Sequence, residues 1–310
     1  MKSLVILHGP SAWKVISSSE YSTYPMGDVY RRISDDTGLE FSSVIRLMDE
    51  LPVFLSGSEH KERRKSMAKT YAHSRTEQER VVNDVVRKIA TRIEQTNGSF
   101  NLLDEISTPI WHAISSVICQ NNKTLRGFAS DLPELFNPDA SVNLRKRLND
   151  QLESFLEETD DNLLDQLALL VLGVRPLTGS IVLSLHKLAR DNAGQCLCDI
   201  SFPESFPDSA LRFVDRIALH DVHLNGRLYQ AGTRFRCVTF DESYTSEQNA
   251  NNVYGQGAHV CLGKPISQYT WGKIGEVFSN SKKRTQPGKL ITTEREPFLI
   301  ATKCFISLSA

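Results

Sequence analysis

The sequence has few cysteines, almost no net charge and no long apolar run near its start. Six cysteines among 310 residues are too few for a secreted domain framed by disulfides, and none forms the Cys-x-x-Cys pair of a zinc knuckle. A formal charge of −1 provides no overall basic field for nucleic acid. The apolar run before His8 is only four residues long, too short for a signal peptide or an anchor. We therefore expect a soluble, cytoplasmic protein that binds neither nucleic acid nor membrane.

Apolar residues are nevertheless frequent enough for a substantial core, and their spacing is mainly helical. They make up 40% of the chain, and no internal repeat interrupts it. Segment 76–95 predicts an amphipathic helix that ends at Asn97-Gly98. Its apolar stripe comprises Val81, Val82, Val85, Val86, Ile89 and Ile93. Segment 101–120 is also helical, with a kink or restart at Pro109. Segment 163–189 is apolar on nearly every side, which predicts a central buried helix.

The pattern changes after about residue 200, where alternating apolar residues and turn signals replace helical spacing. Asn225-Gly226 lies between two short apolar segments, and this pair favours a tight β-hairpin. The last segment, 282–310, indicates further strands and turns. The sequence therefore predicts a mainly α protein with small β-sheets.

The segment YGQGAHVCLGKP, residues 254–265, places one thiol in a glycine-rich loop before a predicted helix start. Glycines let the backbone adopt positive φ angles and leave N–H groups free to point at one acceptor. A thiolate bound to a metal is such an acceptor. Lys264-Pro265 suits the first turn of a helix, whose dipole favours the same negative sulfur. The alternative is a buried structural cysteine beside a flexible turn.

The spacing of this loop resembles the haem-binding loop of the cytochrome P450 family. The matching residues are Tyr254, where the family usually has phenylalanine, Gly255, Gly257, His259, Cys261 and Gly263. The resemblance implies a single domain over residues 1–310 with a shortened cytochrome P450-like fold. It also implies haem b (iron protoporphyrin IX) between a long central helix and the cysteine loop. Cys261 would then be the iron ligand, and His259 would bond a haem propionate.

Two further segments are similar to the family's propionate-binding segments. His60 and Arg64 stand four residues apart in a predicted helix, so both lie on one face. Alone, such a pair indicates a solvated basic face; beside the cysteine loop it resembles the family's His-x-x-x-Arg pair. Arg216, two residues before Ala218, resembles the arginine of the propionate-binding strand. Arg212 has no such match and is expected to be an ordinary surface arginine.

The chain also departs from the family's pattern. Its N-terminal and middle regions are short, and the Glu-x-x-Arg pair that normally precedes the propionate-binding strand is missing. Segments 199–202 and 209–212 could occupy its place, and neither matches. In the central helix, Arg175-Pro176 replaces the acid–alcohol pair that delivers protons in oxygen-using relatives. Pro176 has no N–H for the carbonyl of Leu172, which predicts an opened helix beside Gly173.

Arg175 would be costly in so apolar a helix without an anion or water. Arg-Pro at this position resembles the fatty-acid peroxygenase branch of the family, in which the arginine holds the substrate carboxylate. The alternative is that Arg175 reaches an internal acid or a propionate.

The resemblance implies a monooxygenase or peroxygenase in which Arg175 and Pro176 take part in catalysis. The expected reaction is hydroxylation, desaturation or decarboxylation of a small or medium organic acid, with hydrogen peroxide, or with dioxygen and an electron donor. A non-oxygenating haem-thiolate enzyme and a non-catalytic haem- or ligand-binding relative remain alternatives. The basic segment 61–69 could dock an acidic ferredoxin or flavodoxin. An oligomer, in which a second subunit supplies a missing segment, is also possible.

Overall fold

The computed structural model describes residues 4–120, 122–158, 163–241, 253–255, 257–295 and 297–310. Within them the α-helices are α1 Gly9–Ser17, α2 Met26–Thr37, α3 Ser42–Glu50, α4 Gly57–Gln95, α5 Thr108–Ile118, α6 Lys123–Asp131, α7 Val142–Glu158, α8 Leu163–Leu169, α9 Arg175–Asp191 and α10 Lys264–Asn280. The strands are β1 Leu4–Leu7, β2 Tyr21–Thr23, β3 Gly98–Asn101, β4 Phe213–Ala218, β5 Val222–Leu224, β6 Arg227–Tyr229, β7 Arg234–Val238, β8 Arg284–Arg295 and β9 Phe298–Ser309. The expected mainly α fold with small sheets is confirmed.

Helix α4 is a single helix of 39 residues. The predicted helical segment 76–95 is therefore its second half, and the basic segment 61–69 belongs to its first half. No glycine or proline occurs between Ser58 and Gln95, so nothing in the sequence breaks the helix. Of the predicted stripe, the fully buried members are Val82, Val86, Ile89 and Ile93.

The central helix runs from Leu163 to Asp191 as α8, a π-helical turn over Leu170–Val174 and α9. The π-turn lies directly before Pro176, where the missing N–H was expected to open the helix. By length and composition this segment could cross a membrane, but 67% of its most apolar window is buried inside the protein. Helix α5 restarts at Thr108 after a second π-turn, Leu103–Ser107, with Pro109 in its first turn.

Two small sheets and one hairpin complete the described fold. The first sheet has the order β1-β7-β4-β2, in which β1 and β7 are parallel and the other pairs antiparallel. The second has the order β3-β9-β8. Strands β5 and β6 form the predicted hairpin, whose turn residues Asn225 and Gly226 have φ angles of 51° and 75°. These positive angles are what a tight Asn-Gly turn requires.

The segment before β4 is held by the central helix instead of by a Glu-x-x-Arg pair. The Ser184 hydroxyl donates to the carbonyl of Asp208 at 2.9 Å, and Ser180 Oγ accepts from the N–H of Ala210 at 2.9 Å. Arg212 pairs with Asp208 at 3.0 Å and lies over the ring of Phe240, with 23% of its side chain exposed. The expectation of an ordinary surface arginine is wrong, because Arg212 helps to fix the approach to β4.

Candidate functional site

A cavity of about 480 Å³ lies between α4, the central helix, β4 and the loop around Cys261. Most of the predicted site residues line it: His60, Arg64, Pro176, Arg216, Gly255, His259, Cys261 and Gly263. They come from four separate parts of the chain between His60 and Gly263, so the fold brings them together. Two predicted site residues, Gly257 and Arg175, do not line the cavity.

The loop around Cys261 is shaped by two glycines with positive φ angles. Gly255 and Gly257 have φ angles of 69° and 65°, and a Cβ on Gly255 would lie 3.3 Å from the carbonyl oxygen of His259. The N–H of Cys261 donates to the carbonyl of Tyr254 at 2.8 Å, which closes the loop on itself. Gly257 therefore shapes the turn without facing the cavity. Substitution of either glycine would strain the backbone that holds the thiol.

Burial raises the pKa of the Cys261 thiol overall, but several groups beside it act in the opposite direction. The backbone N–H groups of Gly263 and Lys264 and the charges of Arg64 and Lys264 lower it. Helix α10 begins at Lys264, so its N-terminus faces the sulfur. Arg64 also donates to the carbonyl of Val260 at 2.6 Å, which ties α4 to the loop. A metal ion beside this sulfur would be bound by the thiolate.

Nitrogen-bearing side chains gather at one edge of the cavity, and none of them forms an ion pair with a described carboxylate. The rings of His60 and His259 are 4.1 Å apart, and Arg216 is 4% exposed. Among the described residues no carboxylate lies within 4 Å of Arg216, and the buried His60 Nε2 has no hydrogen-bond partner. Burial and the charge of Arg216 lower the pKa of His259 to about 3, with smaller contributions from His60 and Arg64. This edge is therefore built for a negatively charged ligand.

The cavity fits an iron porphyrin on these observations. Cys261 would hold the iron, and His60, Arg64, Arg216 and His259 would bind the propionates, which would supply the missing anions and a partner for His60 Nε2. When bound, such a group supplies one-electron and oxygen chemistry. The protein contributes the thiolate, the propionate partners and a cavity walled largely by apolar side chains.

The wall formed by the central helix is apolar. Its lining residues are Ala168, Leu169, Leu172, Gly173, Val174, Pro176, Leu177 and Ser180. They include no acid, and the Ser180 hydroxyl already accepts the N–H of Ala210. A Cβ on Gly173 would meet no atom within 4 Å, so the π-turn leaves open space at this wall. The wall therefore carries no carboxylic acid, and its one hydroxyl is held in place by its bond to Ala210.

The structure places Arg175 away from the cavity. Its guanidinium lies over the ring of Trp111, 5.9 Å from the centroid. Burial lowers the pKa of Arg175, and the charges of Asp131 and Glu134 act in the opposite direction. The adjacent Pro176 does line the cavity. The two residues of the Arg-Pro pair thus face different surroundings.

Two residues that position the site were not predicted from the sequence. The Tyr71 hydroxyl accepts the N–H of Ile266 at 3.2 Å, so it holds the first turn of α10 beside the cysteine loop. Asp165, 1% exposed in α8, accepts from Ser66 at 2.8 Å and pairs with Arg63 at 3.1 Å. Nothing in the sequence connects Tyr71 with Ile266. Asp165 could have been noticed as an acid at the start of an apolar helix.

Acid should destabilise the haem-free protein through His259. Its pKa is about 3 in the folded protein, against about 6.5 in an unfolded chain. Between these values the unfolded chain binds more protons, so stability is present above pH 6.5 and is lost as the pH falls towards 3. The slope from this group is at most about 1.4 kcal/mol per pH unit.

Urea unfolding of haem-free protein between pH 7 and pH 4 would measure this slope. His259→Asn should flatten it, and the matched control is His223→Asn, a change at an exposed residue of β5. If stability depends on pH as steeply in His259→Asn as in the wild type, His259 is not the group responsible.

No protein-family model and no curated protein matches the chain. Solved structures do match. P450 RauA with a biosynthetic intermediate of aurachin RE has a TM-score of 0.74 and 14% identity, over 98% of this chain and 91% of that one. Epothilone B-bound P450epoK has a TM-score of 0.71 and 13% identity, over 98% and 91%. P450BioI in complex with hexadec-9Z-enoic acid-ligated acyl carrier protein has a TM-score of 0.68 and 12% identity, over 96% and 90%. With its cysteine loop facing the cavity, the chain has the cytochrome P450 fold.

Proposed function

We propose that the protein is a haem-thiolate oxidase that oxidises a medium-sized organic molecule. The observation that carries the proposal is the position of Cys261. Its sulfur faces the cavity under two backbone N–H groups, and the edge formed by His60, Arg64, Arg216 and His259 lies beside it. A thiolate ligand favours O–O cleavage. Solved structures of the same fold contain organic molecules such as epothilone B.

Hydrogen peroxide is the oxidant that the central helix suits best. Reduction of dioxygen to the level of water and an inserted oxygen atom requires two electrons and two protons from outside. Hydrogen peroxide already carries both. The wall formed by the central helix has no acid to deliver the protons that dioxygen requires, and its one hydroxyl, that of Ser180, is anchored to Ala210. The proposal therefore requires no electron donor for turnover with peroxide.

The substrate is expected to be mainly apolar where it meets this wall, since Leu172, Pro176 and Leu177 line the cavity. The carboxylate clamp expected of Arg175 is not part of the proposal, because its guanidinium lies against Trp111. Arg175→Leu tests this point. The variant should bind medium-chain acids with unchanged affinity. If it loses affinity for the acids but not for their esters, Arg175 does bind the substrate carboxylate.

Turnover by the purified haem-loaded protein tests the proposal. A panel of medium-chain acids, esters and alcohols would be incubated either with hydrogen peroxide alone or with dioxygen, a ferredoxin and its reductase. We expect oxidised product with peroxide alone. Product only with the electron donor would overturn the peroxide assignment and retain the oxidase. No product in either arm would overturn the oxidase and favour a haem- or ligand-binding role.

If turnover requires an electron donor, α4 offers a basic surface on which an acidic ferredoxin could dock. Lys61, Lys65 and Lys69 are exposed and stand four residues apart on α4, beside the arginine that contacts the cysteine loop. Reduction through this surface should weaken as salt rises, because exposed charges are screened within about 8 Å at 0.15 M ionic strength.

A further inference from the structure

A second cluster of metal-ligating side chains lies outside the cavity, in the turn between α9 and β4. Cys196 and Cys198 have their Sγ atoms 2.6 Å apart, and Cys198 Sγ lies 3.7 Å from Asp199 Oδ1. One ligand atom from each residue falls within 4.8 Å of the others. None of the three residues lines the haem cavity. The spacing is Cys-x-Cys-Asp, which differs from the Cys-x-x-Cys pair of zinc knuckles.

From this arrangement we propose that Cys196, Cys198 and Asp199 form a binding site for a thiophilic divalent cation of the zinc type. Thiolate and carboxylate are both zinc ligands, and zinc needs three or four of them. The described residues supply two sulfurs and one oxygen, which leaves the fourth position to water. This inference does not depend on the proposed oxidase function.

The distances can be compared with tetrahedral zinc. With Zn–S bonds of about 2.3 Å and Zn–O bonds of about 2.1 Å, sulfur and oxygen ligands lie about 3.6 Å apart and two sulfurs about 3.8 Å apart. The Cys198–Asp199 separation of 3.7 Å already fits. The two sulfurs must separate by about 1.2 Å, a displacement within reach of side-chain rotation.

The backbone of this turn is fixed on both sides, so the ligands start close together. Residues Leu197–Asp199 form a 3₁₀ turn in which the N–H of Asp199 donates to the carbonyl of Cys196 at 3.0 Å. The N–H of Leu197 donates to the carbonyl of Lys283 at 2.8 Å, just before β8. Leu197 itself is 1% exposed and anchors the turn in the core.

Cys198 and Asp199 are exposed, so a cation can reach the cluster from solvent. Binding releases the two thiol protons, and the divalent cation then balances the negative charges of two thiolates and one carboxylate.

Zinc titration of the haem-loaded protein tests the site. Keeping haem bound occupies Cys261, and a non-thiol reductant, checked by a thiol count, keeps the dithiol reduced. Zn²⁺ binding would be measured by competition with a chromophoric chelator, while the haem spectrum reports that the first site is undisturbed. We expect one Zn²⁺ per chain. Loss of outer-shell partners already costs about 10- to 100-fold in metal affinity. Cys196→Ser and Cys198→Ser, which remove ligands, should therefore each lose at least about 100-fold.

Two control variants show whether a loss of Zn²⁺ affinity is specific to the cluster. Cys119→Ala removes a buried thiol elsewhere, and Glu204→Gln removes an exposed carboxylate close in sequence; both should keep wild-type affinity. Asp199→Asn should lose at least about 10-fold, since it removes a charged ligand. The proposal is overturned if the reduced wild type binds no Zn²⁺, or if neither cysteine variant changes the affinity.

Discussion

Replacing Cys261 by serine is expected to abolish both the thiolate signature of the haem-loaded protein and its oxidase activity. A serine hydroxyl has nearly the same size, but it does not supply the electron-rich thiolate that favours O–O cleavage. The backbone N–H groups of Gly263 and Lys264 would remain in place. The change therefore tests the sulfur itself and not the loop. The readouts are the absorption spectrum of the ferrous–carbonyl form and product formation with hydrogen peroxide.

The matched control for this experiment is Cys119→Ser, which changes a buried cysteine that does not line the cavity. It should keep the thiolate spectrum. Retention of the wild-type spectrum by Cys261→Ser would refute the assignment of the ligand. If the wild type has a thiolate spectrum but forms no product from any substrate, Cys261 remains the ligand and the proposed oxidase activity is refuted.

Removal of the Asp165 carboxylate is expected to cause the largest loss of stability. Asp165→Ala leaves Arg63, Ser66 and Thr70 of α4 facing a buried position without their common acceptor. Breaking a buried ion pair from one side costs about 3–5 kcal/mol, and we expect the lower end because Arg63 also approaches Glu50 at 3.5 Å. Urea unfolding of the haem-loaded protein would measure this free energy.

A surface acid provides the comparison for Asp165. Asp150 pairs with Lys146 four residues earlier on α7, and 52% of its side chain is exposed. Asp150→Ala should change the free energy of unfolding by no more than about 1 kcal/mol. Equal losses in the two variants would contradict a special role for the buried pair. Since α4 also carries His60 and Arg64, faster haem loss is expected from Asp165→Ala and not from Asp150→Ala.

Much of the helical body and the cysteine loop could be predicted from local sequence. Helix periodicity, Pro109 and Asn225-Gly226 act over a few residues, and the structure agrees at each of these places. The loop was predictable because the backbone conformation itself requires glycine at positions such as 255. Local rules were sufficient where local geometry decides the outcome.

The directions of single long side chains could not be predicted in the same way. Arg175 was expected to face the substrate, but the rotation of the helix brings its guanidinium over Trp111. Arg212 has no sequence signal for its pairing with Asp208 and Phe240. The Arg175 and Phe240 contacts depend on how distant elements pack, and Asp208–Arg212 is a pair four residues apart that lies outside any helix. The Cys196–Cys198 contact was likewise not predictable, since a Cys-x-Cys spacing brings the two sulfurs together only in a tight turn.

The π-turn at Leu170–Val174 also sets the angular relation between the two halves of the central helix. Before it, Asp165 points to α4; after it, Ser180 and Ser184 point to the segment that leads into β4. Each residue of an α-helix turns the next by about 100°. Deleting one residue from this turn would therefore swing one anchoring face away from its partner. Engineering of the cavity wall has to exchange side chains at constant chain length here.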